Sequence, residues 1–116
     1  MNIEKILQLI EGRVVTKIDG NKFQITHAFT SDLMSDVLTI NHSQDDIALL
    51  TGLANVQTIR TVEMAGLNLV ILVRGKKANS DMIDVANEND IVIIETQYSA
   101  FRTSAILFNQ GIKSLF

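Results

Sequence analysis

Between Leu49 and Lys77 the chain reads LLTGLANVQTIRTVEMAGLNLVILVRGKK, two apolar runs that each end at a glycine and enclose one segment of helix length. That is a strand, helix, strand unit. From Leu67 to Val73 every residue but Asn68 is apolar. Such a run lacks the alternation of a half-solvated strand and describes one covered on both faces, which is the mark of a parallel sheet. In parallel sheets ligands gather where strands end and helices begin. The positions to watch are therefore Thr51, Gly52 and Asn55 after one strand and Arg74, Gly75 and Lys76 after the next, with Ser31 and Thr96 at the ends of neighbouring strands.

The rest of the chain extends this pattern. Ile3, Ile6, Leu7 and Ile10 fall at helical spacing, with Asn2 placed to cap the helix and Gly12 placed to end it in a left-handed conformation. Arg13 to Ile18 and Lys22 to Ala28 are β-branched and partly alternating, and Asp19-Gly20-Asn21 between them favours a tight turn, so an antiparallel hairpin is expected. Thr30-Ser31-Asp32 offers a cap to a brief helix carrying Leu33, Met34, Val37 and Leu38, and a polar loop follows from Asn41 to Asp46.

Ile47 to Leu50 reads as a buried strand, and Asn55 caps a helix whose inner face holds Val56, Ile59 and Val62 before Gly66 stops it. Asn79 or Ser80 opens a further helix with Met82, Ile83, Val85 and Ala86 inward, and Ile91 to Ile94 is another continuous apolar strand. Ser99 caps a last helix that Gly111 ends, leaving Lys113 to Phe116 as a tail. With no linker or repeat, residues 1–116 form one domain. Right-handed crossovers stack helices on both faces of the sheet, so the expected fold is a three-layer α/β/α sandwich around a mostly parallel sheet.

Composition narrows the chemistry. A chain of 116 residues with 47% apolar and 20% charged side chains folds into one core, and its apolar runs stay well short of the ~20 residues that span a bilayer. Glu4 and Lys5 interrupt what would otherwise be the centre of a signal peptide, so a cytoplasmic protein is expected. The absence of cysteine excludes disulfides, thiolate catalysis and cysteine-bound clusters. A net charge of −3 argues against nucleic acid as a partner.

Four groups of side chains invite a chemical reading. Thr51, Gly52 and the Asn55 cap offer backbone N–H groups to an anion, or simply a tight turn and a cap. Arg74, Lys76 and Lys77 form either a solvated loop or a single-anion contact, with Arg74 and Lys76 flanking Gly75 so that a phosphate held at the first loop meets a guanidinium from the second. His27 and His42 stand alone, without metal-ligand spacing or a GxSxG elbow, and Asp45-Asp46 and Asp32/Asp36 read as loop and solvated helix face rather than acid–base pairs. No GxGxxG supports a dinucleotide fold of the usual type. Met34, Met64 and Met82 are expected to fill the core. Phe101, Phe108, Leu115 and Phe116 are expected to cover the sheet, with a dimer contact as the rival use.

The segments SDLMSDVL (Ser31 to Leu38), ALLTGLANVQTIRTVEMAG (Ala48 to Gly66), VILVRGK (Val70 to Lys76) and FRTSAILFNQGI (Phe101 to Ile112) follow one another in an order and spacing that resembles a stand-alone DRTGG-type domain. The resemblance covers nearly the whole chain after the first helix. The stretch that names the family is degenerate, TGLAN at Thr51 to Asn55, and lacks the Asp-Arg pair, so a contact made by that pair in relatives is not carried over. The resemblance implies a fold similar to the N-terminal domain of HPr kinase. It also implies a non-catalytic regulatory or ligand-sensing module, like those beside CBS nucleotide-sensing pairs and ahead of phosphate acetyltransferase catalytic domains. Such a module needs no cofactor, and a serine-kinase reading is excluded because no GxxxxGK[ST] loop exists to hold the phosphates of ATP.

Relatives tend to be homodimers, and small stand-alone members occur in anaerobic bacteria near genes for iron-only hydrogenases. The expected ligand is an adenine nucleotide or another small phosphate-bearing metabolite at the strand C-terminal ends. The alternative is a ligand-free interaction scaffold serving a partner protein of an anaerobic redox or hydrogenase system.

Overall fold

A computed structural model describes residues 1–18, 24–40 and 46–116. The elements within them are α1 (Ile3–Ile10), β1 (Arg13–Val14), β2 (His27–Thr30), α2 (Met34–Val37), β3 (Ile47–Thr51), α3 (Val56–Met64), β4 (Leu69–Leu72), α4 (Ser80–Glu88), β5 (Val92–Glu95), α5 (Ala100–Asn109) and β6 (Lys113–Ser114). The strands form one sheet in the order β1-β5-β4-β3-β2-β6. Every pairing is parallel except that of β1 with β5.

The layers follow from the apolar runs. Ala48, Leu50, Leu69, Ile71, Val92 and Ile94 point to one side and pack under α1 and α5. Ile47, Leu49, Val70, Leu72, Ile91 and Ile93 point to the other and pack under α2, α3 and α4. The division is dictated by handedness. From β2 to β5 each connection moves one strand in the same direction, so right-handed crossovers put α2, α3 and α4 on the same face. The connection from β5 returns across the sheet to β6, and the same rule then sends α5 to the opposite face. The result is the expected three-layer fold. Among the described residues no helix is long and apolar enough to cross a membrane.

Helix caps match the residue types that announced them. Asn2, Asn55, Asn79 and Ser99 each accept a bond from a backbone N–H three residues on. Gly66 takes φ +77° after α3 and Gly111 takes +103° after α5.

Several expectations are corrected. The hairpin does not form: β1 pairs with β5 and β2 with β3 and β6, so the two segments lie far apart in the sheet. The turn residues Asp19-Gly20-Asn21, and His42 and Asp45, lie outside the described residues. Turn chemistry favours a local partner, but buried strands β3 and β5 each have a second edge to satisfy, and these flanking segments supply it. The tail contributes β6 rather than remaining a free extension. At the end of α1 the left-handed residue is Glu11, with φ 48°, not Gly12. Gly12 serves a close approach instead, since a Cβ there would lie 2.8 Å from Ile94 Cγ2.

Helix faces also differ in detail. Thr58, Ile59, Thr61 and Val62 are the buried face of α3, and Met64 falls on the far side, 70% exposed. In α5 the inward residues are Thr103 and Leu107, whereas Phe101 is 86% exposed and Phe108 66%. Leu115 is half-buried against the α2–α4 side, and Phe116 is exposed, its ring edge-on to Phe29 at 5.4 Å. The helix carries apolar side chains on both faces, so periodicity alone does not select the inner one.

Gly12→Ala is expected to destabilise the protein by about 1–3 kcal/mol, because the added methyl must displace Ile94 from a packed core. Urea denaturation checks it, and an unchanged midpoint would show that the α1–β1 turn has room to move.

Candidate functional site

The C-terminal ends of β2, β3, β4 and β5 lie side by side, since Thr30 is in register with Leu50, Thr51 with Leu72, and Leu72 with Glu95. The chain leaves β4 toward α4 on one face and β5 toward α5 on the other. Where neighbouring strands send their chains to opposite faces, the loops part and a crevice opens. Here that point lies between the loop after Leu72 and the loop after Glu95, but backbone hydrogen bonds from Arg74 and Gly75 to Tyr98 and Thr96 hold these two loops together instead of leaving them apart.

The β4 loop is a tight reversal. Arg74 and Gly75 both take positive φ, +56° and +73°. The Arg74 N–H donates to the Tyr98 carbonyl at 2.7 Å, the Gly75 N–H to Thr96 at 2.9 Å and the Lys76 N–H to Val73 at 3.2 Å. Gly75 permits a close approach, as a Cβ there would sit 2.9 Å from Gln97 Oε1. A left-handed arginine costs about 1–2 kcal/mol relative to glycine. The Arg74 and Gly75 amides are thus committed to the β5 loop and the Lys76 amide closes the turn itself, while the Arg74 and Lys76 side chains are exposed and, among the described residues, have no hydrogen-bond or ion-pair partner.

The first loop is arranged otherwise than its composition suggests. Asp32, expected on a solvated helix face, turns its Oδ1 to the Thr51 hydroxyl at 2.9 Å and to the Gly52 N–H at 2.7 Å. A carboxylate of the chain itself therefore holds the position an external anion would take. Thr51 is buried and its Oγ1 also accepts from the Leu53 N–H. Ser31 Oγ accepts from the Leu33 N–H in the turn ahead of α2, and no side chain caps that helix, so the cap expected from Thr30-Ser31-Asp32 does not form. Asn55 accepts from both the backbone N–H and the hydroxyl of Thr58, so its side chain belongs to the start of α3.

At the end of β5 the polar groups are largely internal. Thr96 is buried, donating to the Ile10 carbonyl at 2.7 Å and accepting from the Tyr98 N–H. Tyr98 donates its hydroxyl to Glu11, which pushes the phenol pKa up, and Arg102 stacks 3.6 Å from the ring centroid. Glu95, not singled out in the sequence, is a buried carboxylate that receives Arg13 Nη2 at 2.9 Å, Lys77 Nζ at 3.6 Å and the Ala78 N–H at 2.7 Å. Burial pushes its pKa up, but the Ala78 and Arg13 hydrogen bonds and the charges of Lys77 and Arg13 outweigh it and leave the value below the usual one. Its signal was present: it is the first charged residue after the run Ile91 to Ile94.

Of the candidate residues, the structure joins Thr51 and Gly52 through Asp32, and ties Arg74 and Gly75 to the β5 loop that carries Thr96. Beside the first pair, Ser31 braces the turn ahead of α2 and Asn55 caps α3.

No family model and no curated protein matches the sequence. In three dimensions the chain is similar to the CBS and DRTGG domains of the regulatory region of Clostridium perfringens pyrophosphatase, whose crystal structure holds the activator diadenosine tetraphosphate. The TM-score is 0.69 at 14% sequence identity, covering 90% of this chain and 45% of that one. The chain thus spans less than half of that neighbour. The likeness establishes a DRTGG-like α/β fold.

Glu95→Gln is expected to cost about 1–3 kcal/mol near neutral pH, since it leaves Arg13, Lys77 and the Ala78 N–H without a carboxylate. A lowered folded-state pKa means that this stability is present above the unfolded value near 4.5 and is lost as pH falls below it through the folded value. Urea midpoints of the two proteins should therefore converge as the pH is lowered through that window. A difference that stays constant would show that the Glu95 charge is irrelevant to folding.

Proposed function

We propose that this chain is a non-catalytic regulatory module that binds a small phosphate-bearing metabolite, an adenine nucleotide foremost, at the rim between the β4 and β5 loops. The observation that carries the reading is the pair of exposed cations, Arg74 and Lys76, without partners among the described residues, on a turn whose backbone is locked to the next loop. A guanidinium so held meets a phosphate in bidentate fashion, and the Lys76 ammonium adds a point charge. Strain retained at Arg74 is consistent with a position kept for contact rather than for folding.

The remaining candidates divide by role. Asn55 presents the first turn of α3, whose orphan N–H groups favour a second anionic group. Asp32 excludes phosphate from Thr51 and Gly52, and its Oδ2, without a partner among the described residues, offers an acceptor to a ribose hydroxyl. Ser31 and Thr96 hold the loops in place. A regulatory region of similar fold binds diadenosine tetraphosphate as an activator, which supports the choice of ligand class.

A thermal-shift series with AMP, ADP, ATP and diadenosine tetraphosphate tests the reading. At about a hundredfold excess over Kd, a bound ligand should raise Tm by roughly 10 °C in a domain of this size. Arg74→Gly should remove that response while raising the ligand-free stability by up to about 1 kcal/mol, because glycine relieves the left-handed strain. No shift with any of the four ligands at millimolar concentration would defeat the nucleotide reading, and a shift retained in Arg74→Gly would move the site elsewhere.

A further inference from the structure

On the side of the sheet that carries α1 and α5, a groove of about 610 Å³ lies between α5 and the strands β2 and β6. That volume falls within the roughly 300–1,000 Å³ of sites that take small organic molecules. Its length follows from the elements that bound it. Thr30 and Lys113 both line it, and Lys113 is in register with His27, so the two are separated by three residues of strand, or about 10 Å. Along α5 the lining runs from Phe101 to Phe108, seven residues of helix and again about 10 Å.

Three of the four polar side chains in the lining are already paired. The Thr30 and Ser104 hydroxyls bond each other at 2.9 Å, and the Ser114 hydroxyl donates to the Phe116 carbonyl. Lys113 is the exception. It is exposed, it is the one charged residue of the lining, and among the described residues its ammonium has no hydrogen-bond or ion-pair partner. The remainder is apolar: Ala28 and Leu50 form the floor, and the Phe101 and Phe108 rings, 86% and 66% exposed, stand along the wall.

We propose that this groove binds a free monocarboxylic acid with an unbranched acyl chain, its carboxylate on Lys113 and its chain running toward Phe101. A length of 10 Å holds about eight carbons joined by single bonds. Charge selects the head group. One cation and no acidic side chain in the lining suit a monoanion, whereas a phosphate dianion finds no second cation there. The hydrocarbon asks for no hydrogen bond from the paired hydroxyls, and its burial covers phenyl rings that otherwise face water. None of Thr51, Asn55, Arg74 and Lys76 lines the groove, so this site goes beyond the phosphate reading and does not depend on it.

Isothermal titration of the full chain at neutral pH with hexanoate, octanoate, decanoate and octan-1-ol tests the proposal. Each CH2 taken from water should tighten binding roughly fourfold, and the gain should level off past octanoate, where the chain outgrows the groove. Octan-1-ol should bind about tenfold more weakly than octanoate. Lys113→Met keeps an apolar stem without the charge and should bring octanoate down to the level of the alcohol. Ala105→Trp fills the groove from an exposed position of the wall, so it should abolish binding in a chain that circular dichroism shows folded. No binding of any acid at millimolar concentration would overturn the proposal, and sedimentation of the same sample would then give the groove to a second copy if the chain is dimeric or to a partner protein if it is monomeric. Equal binding of octanol and octanoate, or octanoate undiminished in Lys113→Met, would overturn the carboxylate. Undiminished binding in Ala105→Trp would overturn the groove as its place.

Discussion

Strands β3, β4 and β5 have no polar face to offer to water, and burying them on both sides is the constraint on which the rest of the structure depends. Two-sided burial requires helices above and below, and the right-handed crossover rule then assigns each helix to its side. Three connections running one way commit α2, α3 and α4 to a common face, and the single return to β6 places α5 opposite. The reversal falls between β4 and β5, where the loop carrying Arg74 is tied through its backbone to the loop after β5.

Polar side chains at that rim serve mainly to satisfy groups that the sheet leaves unpaired. Asp32 closes the Gly52 amide, Thr96 closes the last turn of α1, and Glu95 gathers Arg13, Lys77 and the Ala78 amide around a buried carboxylate. Leaving any of these donors or acceptors without a partner would cost about as much as a lost hydrogen bond, so their presence has a structural reason independent of ligand. Arg74 and Lys76 have no such task among the described residues.

The same crossover arithmetic leaves the two helical layers unequal. An apolar stripe that could have covered the sheet instead faces outward on α5, with Thr103 and Leu107 taking the inner positions. Turning α5 to bury Phe101 and Phe108 would bring the polar Arg102 and Asn109 flanking them closer to the sheet, and the Ser104–Thr30 bond holds the observed rotation.

Much of this was legible in the chain itself. Continuous apolar runs at Ile47 to Leu50, Leu67 to Val73 and Ile91 to Ile94 determined a parallel sheet buried on both faces, and Asn2, Asn55, Asn79, Ser99, Gly66 and Gly111 determined where helices begin and end, because these signals act within a few residues. The loops after the strands were legible as candidate sites for the same reason. Tertiary structure alone decided that β1 joins β5 while β2 joins β3 and β6, that Asp32 closes the Gly52 amide, that Glu95 is a buried ion-pair centre, and that α5 turns its phenylalanines outward. Each of those outcomes depends on partners distant in sequence, as His27 in register with Lys113 shows, or on which of two apolar helix faces meets the sheet, and no local pattern encodes such choices.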